Sequence, residues 1–173
     1  MKTAKVFLGL GTNLGDKEAN LNLAILHLKA YDIKIIQSSR IYVSPPWGFD
    51  SKDEFYNVVL EVETKLNPFQ LLIEIKGIEL KMGRLVKTSQ NYESRIIDID
   101  IIDYNFEIIN YEDLIIPHPH LTKRNFVILP LVEICPNYIH PVFKTLLKDA
   151  IDEKMKNNIK FINKVRLLSS CEK

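Results

Sequence analysis

The sequence predicts an α+β fold, namely a ferredoxin-like βαββαβ sandwich with extra C-terminal helices. Four short runs of apolar or alternating residues have the composition of strands. Two segments with apolar residues at helical spacing separate the first strand from the second and the third from the fourth. The 173 residues, 46% of them hydrophobic, suffice for one well-buried core. We therefore expect a single domain spanning residues 1–173.

The first half of the chain supplies three strands and one helix. Residues 4–10 (AKVFLGL) predict a buried strand, and GTNLGD after them predicts a turn in which Asn13 or Asp16 caps a helix. Residues 33–44 predict the second strand, which two prolines end. Residues 55–64 predict the third strand, after an irregular loop.

The second half begins with a helix that has a strong start signal. Asn67 is suited to the N-cap and Pro68 to the first helical position, and the apolar pattern continues to Gly83. The polar residues 84–94 predict a long loop. The run RIIDIDIID at 95–103 then predicts the fourth strand.

The C-terminal part predicts helices. Residues 125–135 have a helical pattern that we expect Pro130 to interrupt. Residues 143–156 have a second such pattern. The tail at 150–173 carries more Lys than acid and is interpreted as a helix with a frayed end.

The charge balance argues against an attraction to polyanions. Lys and Arg total 23 while Asp and Glu total 22, so no global field favours nucleic acid or an anionic membrane. Cys135 and Cys171 lie far apart and match no zinc-ligand spacing, so we interpret them as reduced thiols. No apolar run is long enough for a signal peptide or a membrane span. We expect a soluble, cytoplasmic protein without nucleic-acid or membrane partners.

Two carboxylates stand inside the most strand-prone run of the chain. Asp98 and Asp100 share one face of the predicted strand, and the neighbouring isoleucines, together with Asp103, share the other. Adjacent like charges cost stability unless water or cations neutralise them. The pair can reach two hard cations about 4 Å apart, as Mg²⁺ ions shared with phosphate would be. The alternative is that both acids face solvent. Arg84 and Arg95 nearby favour the phosphate interpretation.

Other motifs leave alternatives open. GLGTNLGD is no dinucleotide fingerprint, because Leu14 stands where the last glycine is needed, and no GK[ST] follows for a P-loop. His118 and His120 could bind a transition metal, contact an anion or lie at the surface. Trp47 and Phe49 could cover a flat ligand or belong to a satellite core, and Asn57 could bind a heterocycle edge or cap its loop.

Five segments together resemble a known family. They are FLGLGTNLGD, SSRIYVSPPWG with FYNVVLEVET, IELKMGR, SRIIDIDIIDYN and LIIPHPHLTKRNFVILPL, in order over residues 5–136. This chain resembles the 6-hydroxymethyl-7,8-dihydropterin pyrophosphokinases of folate biosynthesis. The resemblance implies a ferredoxin-like fold and transfer of the β,γ-pyrophosphoryl unit of ATP to the hydroxymethyl group of the pterin, with AMP as the other product.

The resemblance also assigns residues. It implies that Asp98 and Asp100 bind two Mg²⁺ ions together with ATP, and that they act in catalysis with Arg84 and Arg95. The residues implied to bind ATP are Glu79, Arg84, Arg95, Ile101, His118 and Arg124. The residues implied to bind the pterin are Ser44, Pro45, Trp47, Phe55, Asn57 and Phe126, with Phe55 and Phe126 on either side of the ring.

The chain departs from the family pattern at positions that the resemblance implies to be near ATP. Val86 stands where a second basic residue is frequent, Glu93 and Ser94 precede Arg95 in place of Gly-Pro, and Pro119 replaces a frequent Tyr. We expect Asp100 or its partner to take up the hydroxyl proton. We expect the loops near 45–53 and 84–94 to close over both substrates.

Two alternatives belong to other functional classes. A metal-dependent hydrolase would use the two aspartates with His118 and His120, and a ferredoxin-like binding module would bind its ligand without turnover. The expected partners are the small molecules ATP and the pterin, and the expected oligomeric state is a monomer or a homodimer.

Overall fold

The computed structural model describes residues 2–48, 52–84, 93–152, 155–156 and 159–164, so Phe49, Val86 and Cys171 lie outside the described residues. The strands are β1 (Ala4–Thr12), β2 (Lys34–Ser38), β3 (Arg40–Ser44), β4 (Phe55–Thr64), β5 (Asp98–Tyr104), β6 (Ile109–Tyr111), β7 (Leu114–Ile116) and β8 (Lys160–Lys164). The helices are α1 (Lys17–Ala30), α2 (Pro68–Lys81) and α3 (Asn125–Ile134), with a 3₁₀ turn at Leu147–Ala150.

The main sheet has the order β5-β1-β4-β3-β8, and β2 also pairs with β4. Each of these pairs is antiparallel. Counting β2 and β3 as one broken strand, the order is fourth, first, third, second, which is the ferredoxin-like arrangement. The predicted fold class is confirmed.

Two clusters of buried side chains cover the two faces of this sheet. On one face, α1 and α2 pack on alternate residues of the central strands, such as Leu8, Leu60 and Ile99. On the other face, α3 and the 3₁₀ turn pack around Phe7 and Tyr138. Because side chains alternate across a strand, each central strand contributes to both clusters.

Both long helices begin where the local sequence predicts. Asp16 is the N-cap of α1 and accepts a hydrogen bond from the backbone of Ala19 at 3.0 Å, so Asn13 is not the cap. Asn67 caps α2 in a capping box with Gln70, and Pro68 occupies the first turn. Within the described residues, no helix combines the length and apolar character needed to cross a bilayer.

The predicted strand at 33–44 is two strands separated at Ser39. The backbone N–H of Ser39 donates to the carbonyl of Val59 at 2.9 Å, and its hydroxyl accepts from the Val59 N–H at 3.0 Å. Both bonds go to the same residue, so β2 and β3 pair with different stretches of β4. A side-chain bond of this kind, between residues 20 positions apart, is not evident from a strand pattern.

The predictions for the C-terminal part are right for one helix and wrong for the rest. The helix predicted at 125–135 is confirmed as α3, but it continues through Pro130 without interruption. Among the described residues of the helix predicted at 143–156, only the 3₁₀ turn and residues 155–156 are helical, because Lys144 has a positive φ of 57° and Ile139 pairs with Leu146. In the tail, residues 160–164 form strand β8 rather than a helix.

Strand β5 begins at Asp98 and contains a bulge that changes the predicted faces. Leu8 of β1 pairs with Ile101 and Phe7 pairs with Asp103, so Ile102 is an extra residue. Asp103 therefore does not point with Ile99 and Ile101. Its carboxylate accepts from the hydroxyl of Tyr138 at 2.7 Å, on the opposite face of the sheet.

Candidate active site

A pocket lies where β1, β4, β5 and the start of α3 meet the loop after β3. Six of its lining residues are those predicted to bind a pterin: Ser44, Pro45, Trp47, Phe55, Asn57 and Phe126. Five others are predicted catalytic or ATP-binding residues: Arg95, Asp98, Asp100, His118 and Arg124. The fold thus brings together side chains that are up to 82 positions apart in the sequence.

Asp98 is held by two arginines. Its Oδ1 accepts from Nη1 of Arg84 at 2.6 Å and its Oδ2 accepts from Nη1 of Arg95 at 2.8 Å. Burial alone would raise the pKa of this carboxyl, but the Arg95 and Arg84 charges outweigh burial and lower the pKa. Asp98 is therefore ionised at neutral pH.

Glu79 connects helix α2 to this cluster. It is 2% exposed, and its Oε1 accepts from the backbone N–H of Ile99 at 2.6 Å and lies 2.5 Å from Nη1 of Arg84. Gly83, at a φ of 91°, turns the chain after the helix and thereby leads Arg84 back to the strand. Burial raises the pKa of Glu79, and this effect exceeds the lowering of the pKa by the charges of Lys76 and Arg84. Glu79 fixes Arg84 rather than lining the pocket.

Lys76 is a member of this cluster that the sequence interpretation missed. Its ammonium donates to Glu79 at 3.1 Å and to the carbonyl of Ile99 at 3.2 Å. The available signal was its position three residues before Glu79, on the same helix face.

Asp100 lies farther from its cationic neighbours than Asp98 does. Its Oδ2 lies 3.9 Å from both Nε2 of His118 and Nη1 of Arg124. Burial and the adjacent charge of Asp98 raise the pKa of Asp100 to about 6. Two hard oxygen donors that repel each other on one strand face are a donor set that suits Mg²⁺. The residues present therefore fit that ion.

His118 is oriented by the backbone. Its Nδ1 accepts from the N–H of His120 at 3.1 Å, which directs Nε2 toward Asp100. Burial and the charge of Arg124 lower the pKa of His118 to about 4, so the ring is neutral and carries its hydrogen on Nε2. This geometry disfavours a His118–His120 metal pair. In the described part of the chain, no three His, Cys, Asp or Glu side chains are grouped to hold a metal.

The remaining wall of the pocket is aromatic and amide in character. The Arg124 guanidinium stacks 4.4 Å from the centroid of Trp47 and 5.8 Å from that of Phe126. The amide nitrogen of Asn57 donates to the hydroxyl of Ser44 at 3.0 Å and to the carbonyl of Tyr42 at 3.2 Å. These two bonds fix the rotamer of Asn57, which can accept a hydrogen bond through Oδ1.

A second cavity of about 250 Å³ adjoins the first. The two cavities share Asp100 and His118. The apolar part of the second cavity includes Ile101 and Pro119, and its charged residues besides Asp100 are Lys76, Glu112 and Asp113. The β6–β7 hairpin, which the sequence interpretation did not include, supplies one wall. Ile101 thus belongs to this cavity and not to the first.

Known proteins share this sequence pattern. The family model described as 7,8-dihydro-6-hydroxymethylpterin-pyrophosphokinase (HPPK) matches residues 7–136. The chain is 42% identical over 146 residues to a 2-amino-4-hydroxy-6-hydroxymethyldihydropteridine pyrophosphokinase of Aquifex aeolicus, covering 84% of this chain and 89% of that protein. It is 47% identical over 136 residues to a folic acid synthesis protein of Dictyostelium discoideum, covering 79% of this chain but 20% of that longer protein.

A solved structure shares the fold. A Plasmodium falciparum HPPK-DHPS chain superposes with a TM-score of 0.75 at 20% identity, over 93% of this chain. This chain spans about half, 48%, of that longer chain.

Proposed function

The chain belongs to the 7,8-dihydro-6-hydroxymethylpterin-pyrophosphokinase family, and we propose that it transfers the pyrophosphoryl group of ATP to the hydroxymethyl group of 6-hydroxymethyl-7,8-dihydropterin in folate biosynthesis. One observation carries this proposal. An aromatic and amide pocket for a flat heterocycle ends at a pair of carboxylates, Asp98 and Asp100, that is surrounded by arginines.

The pterin would occupy the pocket between Phe55 and Phe126. A pterin ring presents N–H donors along one edge, and the amide oxygen of Asn57 can accept from such a donor. The same amide is held in place by Ser44 and Tyr42. Pro45 and Trp47 complete this wall. The hydroxymethyl group would then point toward Asp100.

ATP would occupy the second cavity and extend to the arginines. Ile101 lies in the apolar part of that cavity, where a purine ring can pack. Arg84, Arg95 and Arg124 surround the carboxylate pair and can neutralise phosphate oxygens, and His118 can donate from Nε2. Glu79 orients Arg84 in this arrangement.

We propose that Asp98 and Asp100 hold two Mg²⁺ ions together with ATP, and the ions supply charge neutralisation for the β- and γ-phosphates. The other contributions come from the side chains of the protein. The pocket orients the hydroxymethyl oxygen to form a bond to the β-phosphorus, while the bond from that phosphorus to the α,β-bridging oxygen breaks and AMP leaves with that oxygen. Asp100 accepts the hydroxyl proton. Positioning and charge neutralisation supply most of the rate, as in other phosphoryl-type transfers.

Three further expectations belong to this proposal. We propose one domain over 1–173, a cytoplasmic location where ATP is available, and a monomer or a homodimer. Size-exclusion chromatography with light scattering tests the last of these. The near-neutral charge, 23 basic against 22 acidic residues, supports small-molecule substrates over a polyanion partner.

The test is incubation with ATP, Mg²⁺ and the hydroxymethyl pterin, with chromatographic separation of AMP from ADP. We expect AMP to form only when the pterin is present, in equal amount to the pterin diphosphate. Formation of ADP would contradict pyrophosphoryl transfer. Activity that persists with excess EDTA would contradict the metal assignment, and activity supported by Zn²⁺ but not by Mg²⁺ would favour a hydrolase-type centre.

A further inference from the structure

Asn13 connects three parts of the chain that meet beside the pocket. It lies in the turn between β1 and α1 and is 1% exposed. Its Oδ1 accepts from the backbone N–H of Arg95 at 2.7 Å, and its own N–H donates to the carbonyl of Arg95 at 3.2 Å. Its amide nitrogen donates to the hydroxyl of Ser94 at 2.9 Å and to the carbonyl of Asp53 at 3.5 Å. Arg95 is thus fixed on both sides of its Cα.

The turn that carries Asn13 is itself braced. The amide nitrogen of Asn20, on α1, donates to the hydroxyl of Thr12 at 3.2 Å and to the carbonyl of Leu14 at 2.8 Å. Asp16 caps the helix that follows. These contacts attach Asn13 to the rigid β1–α1 unit, so it can hold Arg95 at a constant position relative to the sheet.

The fixed backbone determines where the Arg95 side chain reaches. The guanidinium donates to Asp98 at 2.8 Å through Nη1 and to the carbonyl of Glu93 at 3.0 Å through Nε. A side chain with four rotatable bonds is positioned only as well as its Cα. Glu93 and Ser94 stand where the resemblance expects Gly-Pro, so the segment before Arg95 lacks the stiffness of a proline.

We propose that Asn13 is a positioning residue for pyrophosphoryl transfer, which acts by fixing the backbone of Arg95 and thereby aiming its guanidinium at the phosphates. This inference rests on the proposed function. Asn13 lies outside the pocket lining, so its effect passes through Arg95. Positional errors of about 1 Å at a reacting group can lower rates by roughly 10²-fold, which sets the scale of the expected effect.

The decisive variant is Asn13→Ala, and Asn22→Ala is its matched control. Both substitutions remove a side-chain amide, but the amide of Asn22 donates to the carbonyl of Glu18 at 3.0 Å, one turn earlier in α1, and so lies apart from the turn that carries Asn13. We expect Asn13→Ala to lower kcat for AMP formation by roughly 10- to 100-fold with a smaller change in the KM for the pterin. Asn22→Ala should keep kcat within about threefold of the wild type, with both variants assayed well below their thermal midpoints.

A second readout is independent of turnover. The Arg95 amide donates to Asn13, so its hydrogen exchange, followed by NMR, should accelerate in Asn13→Ala and not in Asn22→Ala. An Asn13→Ala protein with wild-type kcat, or an Asn22→Ala protein with an equal loss of kcat, would overturn the proposal. If Asn13→Ala does not fold, Asn13→Ser keeps a small polar side chain but loses the amide that accepts from the Arg95 N–H. A wild-type kcat in that variant would then overturn the proposal.

These outcomes are distinct from failure of the proposed function. If the wild-type protein forms no AMP from ATP and the pterin, the proposed function fails whatever the exchange rate of the Arg95 amide. If it forms AMP and the variants behave alike, only the role of Asn13 fails.

Discussion

Nη1 of Arg84 lies 2.6 Å from Oδ1 of Asp98 and 2.5 Å from Oε1 of Glu79, so one guanidinium joins the end of α2 to the start of β5. Its side chain is 14% exposed. Arg84→Ala would leave two carboxylates in a poorly hydrated environment without this partner. We expect the free energy of unfolding to fall by about 3 kcal/mol in urea titrations.

Arg84→Lys separates charge from geometry at the same position. The ammonium retains the positive charge but cannot bind two oxygens in a planar fork. We expect the urea midpoint to recover most of the loss, while AMP formation stays at least about 10-fold below the wild type. A Lys variant with normal kcat would mean that charge alone suffices.

Asp100→Asn tests the carboxylate toward which we propose that the hydroxymethyl group points. We expect kcat to fall by about 10²- to 10³-fold or more, because a metal ligand and a proton acceptor are both lost. The thermal midpoint should not fall, because Asp98 and Asp100 repel each other in the metal-free protein. Asp149→Asn, at an exposed position in the 3₁₀ turn, is the control and should leave both quantities unchanged. Near-normal turnover in Asp100→Asn would contradict the metal assignment.

Gly11→Ala tests the pterin pocket. A Cβ at this position would lie 3.3 Å from Oδ1 of Asn57 and 3.7 Å from Cδ1 of Phe55, so it would occupy space at the proposed pterin edge. We expect the KM for the pterin to rise roughly tenfold, with a much smaller change in the KM for ATP. Gly77→Ala is the matched control. A Cβ there meets nothing within 4 Å, so helix propensity should stabilise the protein by about 0.5–1 kcal/mol without changing either KM. An equal rise in both KM values for Gly11→Ala would argue against a pterin-specific wall.

Tyr138→Phe tests the buried acid Asp103, on the face of the sheet that α3 covers. The hydroxyl of Tyr138 donates to Oδ2 of Asp103, which is fully buried, so its loss leaves a carboxylate short of a donor. We expect a loss of about 2 kcal/mol in the free energy of unfolding. Tyr104→Phe removes a bond of 2.8 Å to the neutral carbonyl of Leu66 and should cost about 1 kcal/mol or less. Equal losses in urea titrations would show that the Asp103 carboxylate needs the Tyr138 hydroxyl no more than the neutral carbonyl of Leu66 needs the Tyr104 hydroxyl.

His140 gives a pH dependence that can be measured away from the active site. The residue is 5% exposed, and burial lowers its pKa, while its Nδ1 accepts from the N–H groups of Val142 and Phe143. The unfolded chain takes up a proton near pH 6.5 that the folded chain resists, so stability falls as the pH decreases below about 6.5. We expect the difference in unfolding free energy between about pH 7.5 and about pH 5.5 to be smaller in His140→Asn than in the wild type. An unchanged difference would contradict this assignment.

The features that the sequence predicted well depend on local chemistry. The caps at Asp16 and Asn67 are set by residues within one helical turn, and the structure has both. The fold class follows from the order of the strands and helices. The residues carried over from the resemblance occur in short segments, and eleven of them line one pocket, while the role of each stays a prediction.

The features that the sequence predicted wrongly depend on pairing between residues far apart in the chain. Asp103 changes face because β1 forces one extra residue into β5, and nothing in the run RIIDIDIID marks the place. Residues 160–164 form a strand only because β3 offers an edge. The sequence makes Asn13 a candidate helix cap. Its actual bonds go to residues 53, 94 and 95, and they leave no local signal because they cross 40 or more positions.

Strand β8 ends the main sheet on the side of β3, the strand that leads into the pocket wall. Without it, the backbone of β3 would present unpaired N–H and C=O groups along the strand that continues into the pocket wall at Ser44. Such an edge is a template for a strand of another molecule. The ring of Phe161 on β8 lies 3.7 Å from the Arg40 guanidinium, which adds a side-chain contact to the backbone pairing. In the described part of the chain, the sheet therefore ends at β8 and not at β3, and the exposed Lys160 on this last strand opposes its pairing with a strand of another molecule.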